Sequence, residues 1–446
     1  MSDVKRALEL ESERHELAPG LLERVYRHRG RRQLKRRIAT GLVALVVTGV
    51  GVGGAVVLLR GLGHEPRPAA PTITPSNVRS LRTAWTAVVG RHGARFAPVV
   101  ADGIVYVSSD KLYAFPASCG ASGAQCDPLW VAESDSGRVF SQPVVSMGVV
   151  YASAGALYAF PARCATNGAT CDPAWVARPR SGDVPGYSSP AISGGVIYVN
   201  DAGGPLGFPV SCATKGGACA PIWRGAAPGG NFPPAVGDGI VSVNGVGTMY
   251  TYPTRCSAQP QPCQPSWTAP VGNPLTSPTV AGGMVFARHG ALKAFDSECG
   301  TDGAVCKPTW VWTPPFGQNA SDVSVWNGVV FVSADRLYAL PLECATGGSE
   351  CHPLWSARVE GDHDFASSVA GPLVADDIAF VAGDRLYAFP LSCGTPECIP
   401  LWTGDRLTTG GNLSAPAASA NAVYFVSPDG RLVALQVPRS RSFPRP

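Results

Sequence analysis

The sequence has few charges and lacks the short motifs by which many enzymes are recognised. Charged residues make up only 15% of the 446 residues, whereas glycine (52) and proline (41) are abundant. There is no G-x-S-x-G, no H-E-x-x-H and no phosphate-binding loop. The composition favours many strands and turns over long surface helices. No catalytic or metal-binding residue is predicted from a motif.

The small net charge of +4 is unevenly distributed along the chain. Eight lysines and arginines lie within residues 24–37, and the remainder of the chain is close to neutral. The basic character therefore belongs to one short segment and does not indicate nucleic-acid binding by the whole protein.

An uncharged stretch of 22 residues, positions 38–59, follows this basic segment. At about 1.5 Å per residue such a helix spans the roughly 30 Å hydrocarbon core of a bilayer. A buried core helix and a cleaved signal peptide are the alternatives; the signal peptide has the shorter apolar region. The bias of basic residues predicts a single-pass protein of the cell membrane, with residues 1–37 as a cytoplasmic tail and everything after residue 59 outside.

The cytoplasmic tail contains one predicted basic helix, "PGLLERVYRHRGRRQLKRR". Attraction to lipid headgroups explains such a helix; docking of a cytoplasmic partner is the alternative and would make the protein a transmembrane sensor or regulator. The tail resembles the short basic tails of actinobacterial membrane proteins. Residues 60–78 are rich in proline and predict an extended linker.

Tryptophan recurs at intervals of 43–48 residues through the rest of the chain. The repeated residues are Trp85, Trp130, Trp175, Trp223, Trp267, Trp310, Trp355 and Trp402. The text between them also repeats, as in "FAPVVADGIVYVSSDKLYAFPASC" and "FSQPVVSMGVVYASAGALYAFPARC". Each unit contains four short apolar strands, which is typical of a β-propeller blade.

The repeats predict an all-β, eight-bladed propeller over residues 79–438, preceded by the single transmembrane helix, with residues 439–446 as a C-terminal tail. The last unit has only three strands of its own. The strand around Trp85 precedes any complete unit, so we expect it to complete the last sheet and close the ring without a free edge.

The third strand "LYAF", followed at a fixed distance by tryptophan, resembles the PQQ-type propeller repeat "LYALDxxTGxxxW". The resemblance covers nearly all of residues 80–437. It implies an eight-bladed fold and two possible functions, because the family includes quinoprotein alcohol dehydrogenases and the non-enzymatic outer-membrane assembly factor BamB.

The chain departs from the family repeat between the third and fourth strands. Ala114 and Trp130 are sixteen residues apart rather than ten, and the added residues form a loop flanked by two cysteines. Residues that flank a hairpin loop lie within disulfide reach. The predicted pairs are Cys119–Cys126, Cys164–Cys171, Cys212–Cys219, Cys256–Cys263, Cys299–Cys306, Cys344–Cys351 and Cys393–Cys398.

Metal binding and redox chemistry are the alternatives for these fourteen cysteines. Zinc needs four convergent ligands, and each loop offers two. The spacings are C-x6-C in six repeats and C-x4-C in the seventh, never C-x-x-C. We expect seven local structural disulfides, each constraining only its own loop, and no metal.

The resemblance also implies which residues a quinoprotein dehydrogenase would need. Quinoprotein dehydrogenases carry an adjacent cysteine pair under the cofactor, and Glu, Asn and Asp ligands to Ca²⁺. No two cysteines are adjacent here. We therefore expect no PQQ and predict a non-catalytic binding or scaffold module for a protein or a cell-envelope ligand, with a PQQ-dependent dehydrogenase as the alternative.

The predicted binding face is the one that carries the blade-to-blade connections, because these loops differ from repeat to repeat. Its candidate residues are His92, Arg95, Arg138, Asn231, His363, Asp364 and Asn412. Three aspartates in the predicted turns between second and third strands, Asp110, Asp335 and Asp384, are explained by the backbone preference of a two-residue hairpin turn.

Overall fold

The structure is a computed structural model in which residues 69–446 form one compact unit. It describes residues 71–90, 96–119, 123–178, 186–212, 219–226, 228, 230, 232–256, 262–272, 277–315, 320–344, 350–360, 371–406 and 413–438. Residues 38–59, the predicted transmembrane helix, lie outside these ranges, as do both predicted tails. Within these ranges, no helix combines the length and apolar character needed to cross a bilayer.

The described residues form eight β-sheets, each built mainly from four antiparallel strands. Blades 1 to 4 contain β2 (Val99–Ala101), β3 (Ile104–Ser108), β4 (Leu112–Pro116) and β6 (Trp130–Ala132); β7 (Val144–Ser146), β8 (Val149–Ser153), β9 (Leu157–Pro161) and β11 (Trp175–Ala177); β12 (Ala191–Ser193), β13 (Val196–Asp201), β14 (Gly204–Pro209) and β15 (Trp223–Arg224); and β16 (Ala235–Gly237), β17 (Ile240–Asn244), β18 (Thr248–Pro253) and β19 (Trp267–Pro270).

Blades 5 to 8 follow the same order from the first, innermost strand to the fourth, outermost one. They contain β20 (Thr279–Ala281), β21 (Met284–His289), β22 (Ala291–Asp296) and β24 (Trp310–Trp312); β25 (Ser324–Trp326), β26 (Val329–Ser333), β27 (Arg336–Pro341) and β28 (Trp355–Arg358); β29 (Leu373–Ala375), β30 (Ile378–Ala382), β31 (Leu386–Pro390) and β32 (Trp402–Thr403); and β33 (Ala417–Ser419), β34 (Ala422–Val426), β35 (Arg431–Gln436) and β1 (Arg82–Val88).

The N-terminal strand closes the ring as predicted. Strand β1 pairs antiparallel with β35, with Trp85 opposite Ala434, and so supplies the outer strand of blade 8. The eight-bladed propeller is therefore confirmed. A short 3-10 helix, Val78–Ser80, precedes β1.

The alternating strand directions define two faces. The upper face carries the blade-to-blade connections and the turns between second and third strands. The lower face carries the turns between first and second strands, where residues such as Asp102 (φ 50°) and Gly103 (φ 77°) adopt left-handed backbone conformations. Asp and Gly tolerate that conformation better than most residues, which explains the repeated "DG" and "GG" turns.

The repeated tryptophans hold neighbouring blades together. The Trp130 indole Nε1 donates a hydrogen bond of 2.9 Å to the carbonyl of Ala162 in the next blade. Trp267 and Trp310 make the equivalent bonds, of 3.0 and 2.8 Å, to Ser297 and Leu342. Because each ring is also buried between two sheets, the repeat period seen in the sequence corresponds to a contact between blades.

All seven predicted disulfides are present, with Cα–Cα distances of 5.4–6.1 Å. We call each connection closed by one of these disulfides a staple. Three staples contain two-residue strands that pair parallel with the outer strand of the preceding blade. These are β5 (Ala124–Gln125) on β1, β10 (Ala169–Thr170) on β6 and β23 (Ala304–Val305) on β19.

The staples therefore reach beyond their own blades. In six of them, the backbone N–H of the second cysteine donates to the carbonyl that follows the tryptophan of the preceding blade, at 2.7–2.9 Å. An example is Cys171 N–H bonding to the Val131 carbonyl. The second cysteine is also buried, with Cys171 only 2% exposed beside Trp130. The expectation that each staple constrains only its own loop is wrong, because the propeller curvature brings each loop onto its neighbour.

Candidate functional site

Of the seven residues predicted for the binding face, the structure describes one. Arg138 lies on the upper face, in the connection between blades 1 and 2, and is exposed. Its side chain passes over Gly155, where an added Cβ would lie 3.4 Å from the Arg138 Cδ. The others, His92, Arg95, Asn231, His363, Asp364 and Asn412, lie outside the described residues, so their role stays a prediction.

A charged cluster lies on the upper face next to Arg138. The Asp135 carboxylate accepts hydrogen bonds from the Tyr158 hydroxyl and the Arg178 guanidinium. These two bonds hold the pKa of Asp135 below its ordinary value, while burial and the bond to Asp135 raise the pKa of Tyr158 to about 12. The cluster links the segments that follow the outer strands of blades 1 and 2, and it holds charged groups in fixed positions at the surface.

The turn aspartates have a side-chain role that the sequence did not indicate. Asp110 accepts a hydrogen bond of 2.8 Å from the Tyr113 hydroxyl, and Asp335 makes the same 2.8 Å contact with Tyr338. Neither aspartate has a positive φ. Burial, followed by the bond to Asp110, raises the pKa of Tyr113. The turns are thus fixed by a carboxylate and a phenol, not by backbone preference alone.

A second charged cluster lies on the upper face of blade 7. Asp384 accepts from Tyr387 at 3.2 Å and forms ion pairs with Arg406 (2.9 Å) and Arg385 (3.4 Å). Arg385 also lies 3.6 Å from the exposed carboxylate of Glu360, which comes from blade 6. Arg406 and Glu360 are exposed, whereas Asp384 is only 11% exposed, so the cluster holds a largely buried carboxylate beneath surface charges.

A buried ion pair joins blade 5 to the start of blade 6. Arg288, in blade 5, is 5% exposed, and it donates to the Ala320 carbonyl at 2.5 Å and to the Asp322 carboxylate. Burial lowers the pKa of Arg288, and the neighbouring Asp322 carboxylate opposes that shift. The pair joins blades 5 and 6. At the equivalent position between blades 1 and 2, a smaller polar residue makes the contact: Ser108 Oγ donates to the Ser141 carbonyl at 2.8 Å.

Asp322 also faces a cavity of about 360 Å³ along the inner strands of blades 6 and 7. Its side chain is 45% exposed, and the residue lines this cavity. Trp326, 42% exposed, lines the lower part of the same space. Among the eight inner strands in the described ranges, only this one ends on an aromatic residue; the equivalent positions hold Ala, Ser or Gly.

The described residues do not fit a quinone cofactor with its calcium ion. All fourteen cysteines are paired within the seven staples. No group of three or more His, Cys, Asp or Glu side chains converges to hold a metal ion among the residues the structure describes. The described part of the upper face presents paired charges and tyrosine hydroxyls.

Comparison with known proteins agrees with the fold. A family model for "Outer membrane protein assembly factor BamB" matches residues 76–218, which cover β1 and the first three blades to within the third staple. No curated protein matches the chain. The resemblance to PQQ-like propellers is confirmed.

Three solved structures have the same fold. BamB from Moraxella catarrhalis is 18% identical, with a TM-score of 0.53 over 82% of this chain and 99% of that one. Quinohemoprotein alcohol dehydrogenase from Comamonas testosteroni is 13% identical, with a TM-score of 0.55 over 84% and 79%. The computationally designed Ika8 protein is 10% identical, with a TM-score of 0.56 over 80% and 100%. At these identities the likeness concerns the fold.

Sequence reasoning missed Asp135, Arg178 and the Arg288–Asp322 pair. Arg288 carried a signal, because it interrupts the apolar strand "MVFARH" at a position where other repeats have Ser, Asn, Ala or Val. Asp135 and Arg178 carried none. Both lie in variable connections, and their contact depends on how adjacent blades are arranged.

Proposed function

We propose that the propeller is a non-catalytic scaffold that binds a protein partner on its upper face, outside the cytoplasm. The observation that carries the proposal is the charged cluster of Asp135, Tyr158 and Arg178 beside exposed Arg138 and Val139. Val139 is 51% exposed, so an apolar side chain stands among fixed charges. Protein interfaces combine such apolar anchors with a polar rim.

The lower face is more uniform from blade to blade than the upper face. Its described part consists of tight turns, six of eight with glycine, and of staples that repeat from blade to blade and pair with the scaffold itself. A varied surface on a rigid ring is where a specific partner site is expected. The match to the family model of the outer membrane protein assembly factor BamB supports a protein partner.

We expect R138E/V139E to weaken partner capture by about tenfold or more, equivalent to about 1.4 kcal/mol. The matched control is M147E/R163E, which makes the same charge change on the lower face of the same blade, at exposed residues. Capture is measured by cross-linking in cells and co-purification, with thermal melting to verify folding. Equal capture by both variants, or selective loss in the control, would reject the upper face.

Residues 38–59 are proposed to tether the propeller to the membrane, with the basic tail inside. A reporter that is active only outside the cytoplasm, fused after Pro446, is expected to be active. Activity of a cytoplasm-specific reporter at that position would overturn the orientation, and with it the oxidising environment that the staples require.

A PQQ-dependent dehydrogenase is the competing function. The purified protein, loaded with PQQ and Ca²⁺, distinguishes the two: a quinoprotein would retain stoichiometric quinone absorbance after gel filtration and oxidise alcohols. We expect neither, because the described residues offer no adjacent cysteines and no converging ligand set.

A further inference from the structure

The outer edge of a blade is a strand with unpaired backbone groups, and this protein covers most of those edges with staples. Staple residues pair with the outer strands of blades 8, 1, 3, 4, 5 and 6. Blade 7 is different. Its neighbour, blade 8, has no staple, because the third and outer strands of blade 8, β35 and β1, come from distant parts of the chain.

The segment before β1 replaces the missing staple only in part. We call residues 71–81 the strap; it includes the last residues of the predicted linker. Ile73 N–H donates to the Ala420 carbonyl at 3.0 Å, and Val78 and Leu81 are buried. Arg79 Nε donates to the carbonyl of Leu401, the residue before Trp402, at 3.2 Å. In blade 1, the carbonyl of the equivalent residue, Leu129, accepts instead from the Gly168 N–H of the second staple.

The outer strand of a covered blade also accepts a hydrogen bond from a staple at the carbonyl after its tryptophan, and among the described residues blade 7 lacks this bond. In blades 8, 1, 3, 4, 5 and 6, the carbonyl after the tryptophan accepts from the second cysteine of a staple, as Val131 does from Cys171. In blade 2, no donor to the Val176 carbonyl occurs among the described residues, although a staple follows in blade 3. The counterpart in blade 7 is the Thr403 carbonyl, and no donor to it occurs among the described residues. Thr403 is an exposed residue, so this part of the β32 edge is accessible from outside the chain.

A cavity of about 400 Å³ lies at this point, between blades 7 and 8. Trp402, Leu413, Phe425 and Val433 form part of its apolar wall, and Thr83, Thr403 and Asp405 lie at its polar part. Trp402 is only partly buried, and its indole makes no hydrogen bond within the described part of the chain, whereas Trp130 and Trp310 are fully buried and bonded to the next blade.

We propose that this seam between blades 7 and 8 is a second protein-binding surface, which accepts an extended peptide segment of a partner in parallel alignment with β32. The partner would donate a backbone N–H to the Thr403 carbonyl and insert one apolar side chain beside Trp402. Six staples bind the outer strands of other blades in this way, so we infer from their contacts that the occupant of the blade 7 edge is an extended peptide. Strand addition at an open edge obtains affinity from main-chain bonds and specificity from a side-chain pocket. The surface is separate from the upper face and does not depend on it.

The test uses the full-length protein and a fluorescein-labelled, disulfide-closed peptide with the sequence of residues 162–172, which is the second staple. We expect saturable binding by fluorescence anisotropy, weakened at least tenfold in T83W, which fills the cavity from an exposed position. T301W, at an exposed threonine of the fifth staple, is the matched control and should bind normally. A benzophenone at the peptide's Thr170 position should cross-link to residues 401–405.

A peptide that is N-methylated at its second cysteine tests the hydrogen bond directly, because it keeps the side chains and lacks the donor for Thr403. We expect it to bind at least tenfold more weakly. Equal binding by the methylated peptide, equal binding to T83W, or cross-links elsewhere would overturn the proposal. Binding that occurs only after residues 439–446 are deleted would assign the seam to this chain itself and overturn an external partner.

Discussion

Replacing the second staple with serine and alanine, as C164S/C171A, is expected to lower the free energy of unfolding by more than the closure of one small loop explains. The loop alone accounts for about 2–3 kcal/mol by the chain-entropy relation. The variant also loosens the Cys171 N–H bond to the Val131 carbonyl and removes a buried sulfur beside Trp130. We expect a total near the upper end of the range of about 2–5 kcal/mol for native disulfides.

Hydrogen exchange measured by mass spectrometry locates the effect. If the staple fastens two blades, amides of β6 in blade 1 lose protection as well as those of the staple, although the substitutions are in blade 2. Denaturant unfolding gives the stability change. An effect confined to residues 162–172, with β6 protected as in the wild type, would contradict the contact between blades and restore the local-loop interpretation.

Breaking the Arg288–Asp322 pair is expected to have the second large effect, and the two partners should not be equivalent. D322A leaves the Arg288 guanidinium charged at 5% exposure. R288M leaves Asp322 charged but 45% exposed, where water can solvate it. We therefore expect D322A to cost about 3 kcal/mol, the lower end of the range for broken buried pairs, and R288M to cost less.

The double variant R288M/D322A should recover part of the D322A loss, because it removes the buried charge along with its partner. Chemical denaturation of the four proteins gives the coupling energy between the two positions. Equal costs for the single variants, or additive costs in the double variant, would show that the pair is solvated and does not fasten blade 5 to blade 6.

Repetition is what made the fold predictable. Trp85 and Trp402 are the first and last of eight regularly spaced tryptophans, so the number of blades and the closing role of β1 followed from counting. The disulfides followed from the positions of cysteines on either side of a hairpin connection, as in Cys164 and Cys171.

Contacts between repeats were not predictable in the same way. The bond from Cys171 to Val131 joins residues of different blades and depends on the curvature of the ring, which no residue period encodes. Strand β10 has only two residues, which is too short for an alternation of apolar and polar residues to be recognised in the sequence. The same applies to Asp135 and Arg178, which are 43 residues apart and meet only because neighbouring blades place their exits side by side.

The upper face as a partner site is tested most directly by site-specific photo-cross-linking in cells. A photoreactive amino acid is placed at Val139 on the upper face, or at Met147 on the lower face of the same blade; both side chains are exposed in the free protein, at 51% and 77%. A discrete cross-linked protein from position 139 and none from position 147 is the result expected for an upper-face scaffold. The same adduct from position 147 alone would place the partner on the lower face and contradict the proposed function.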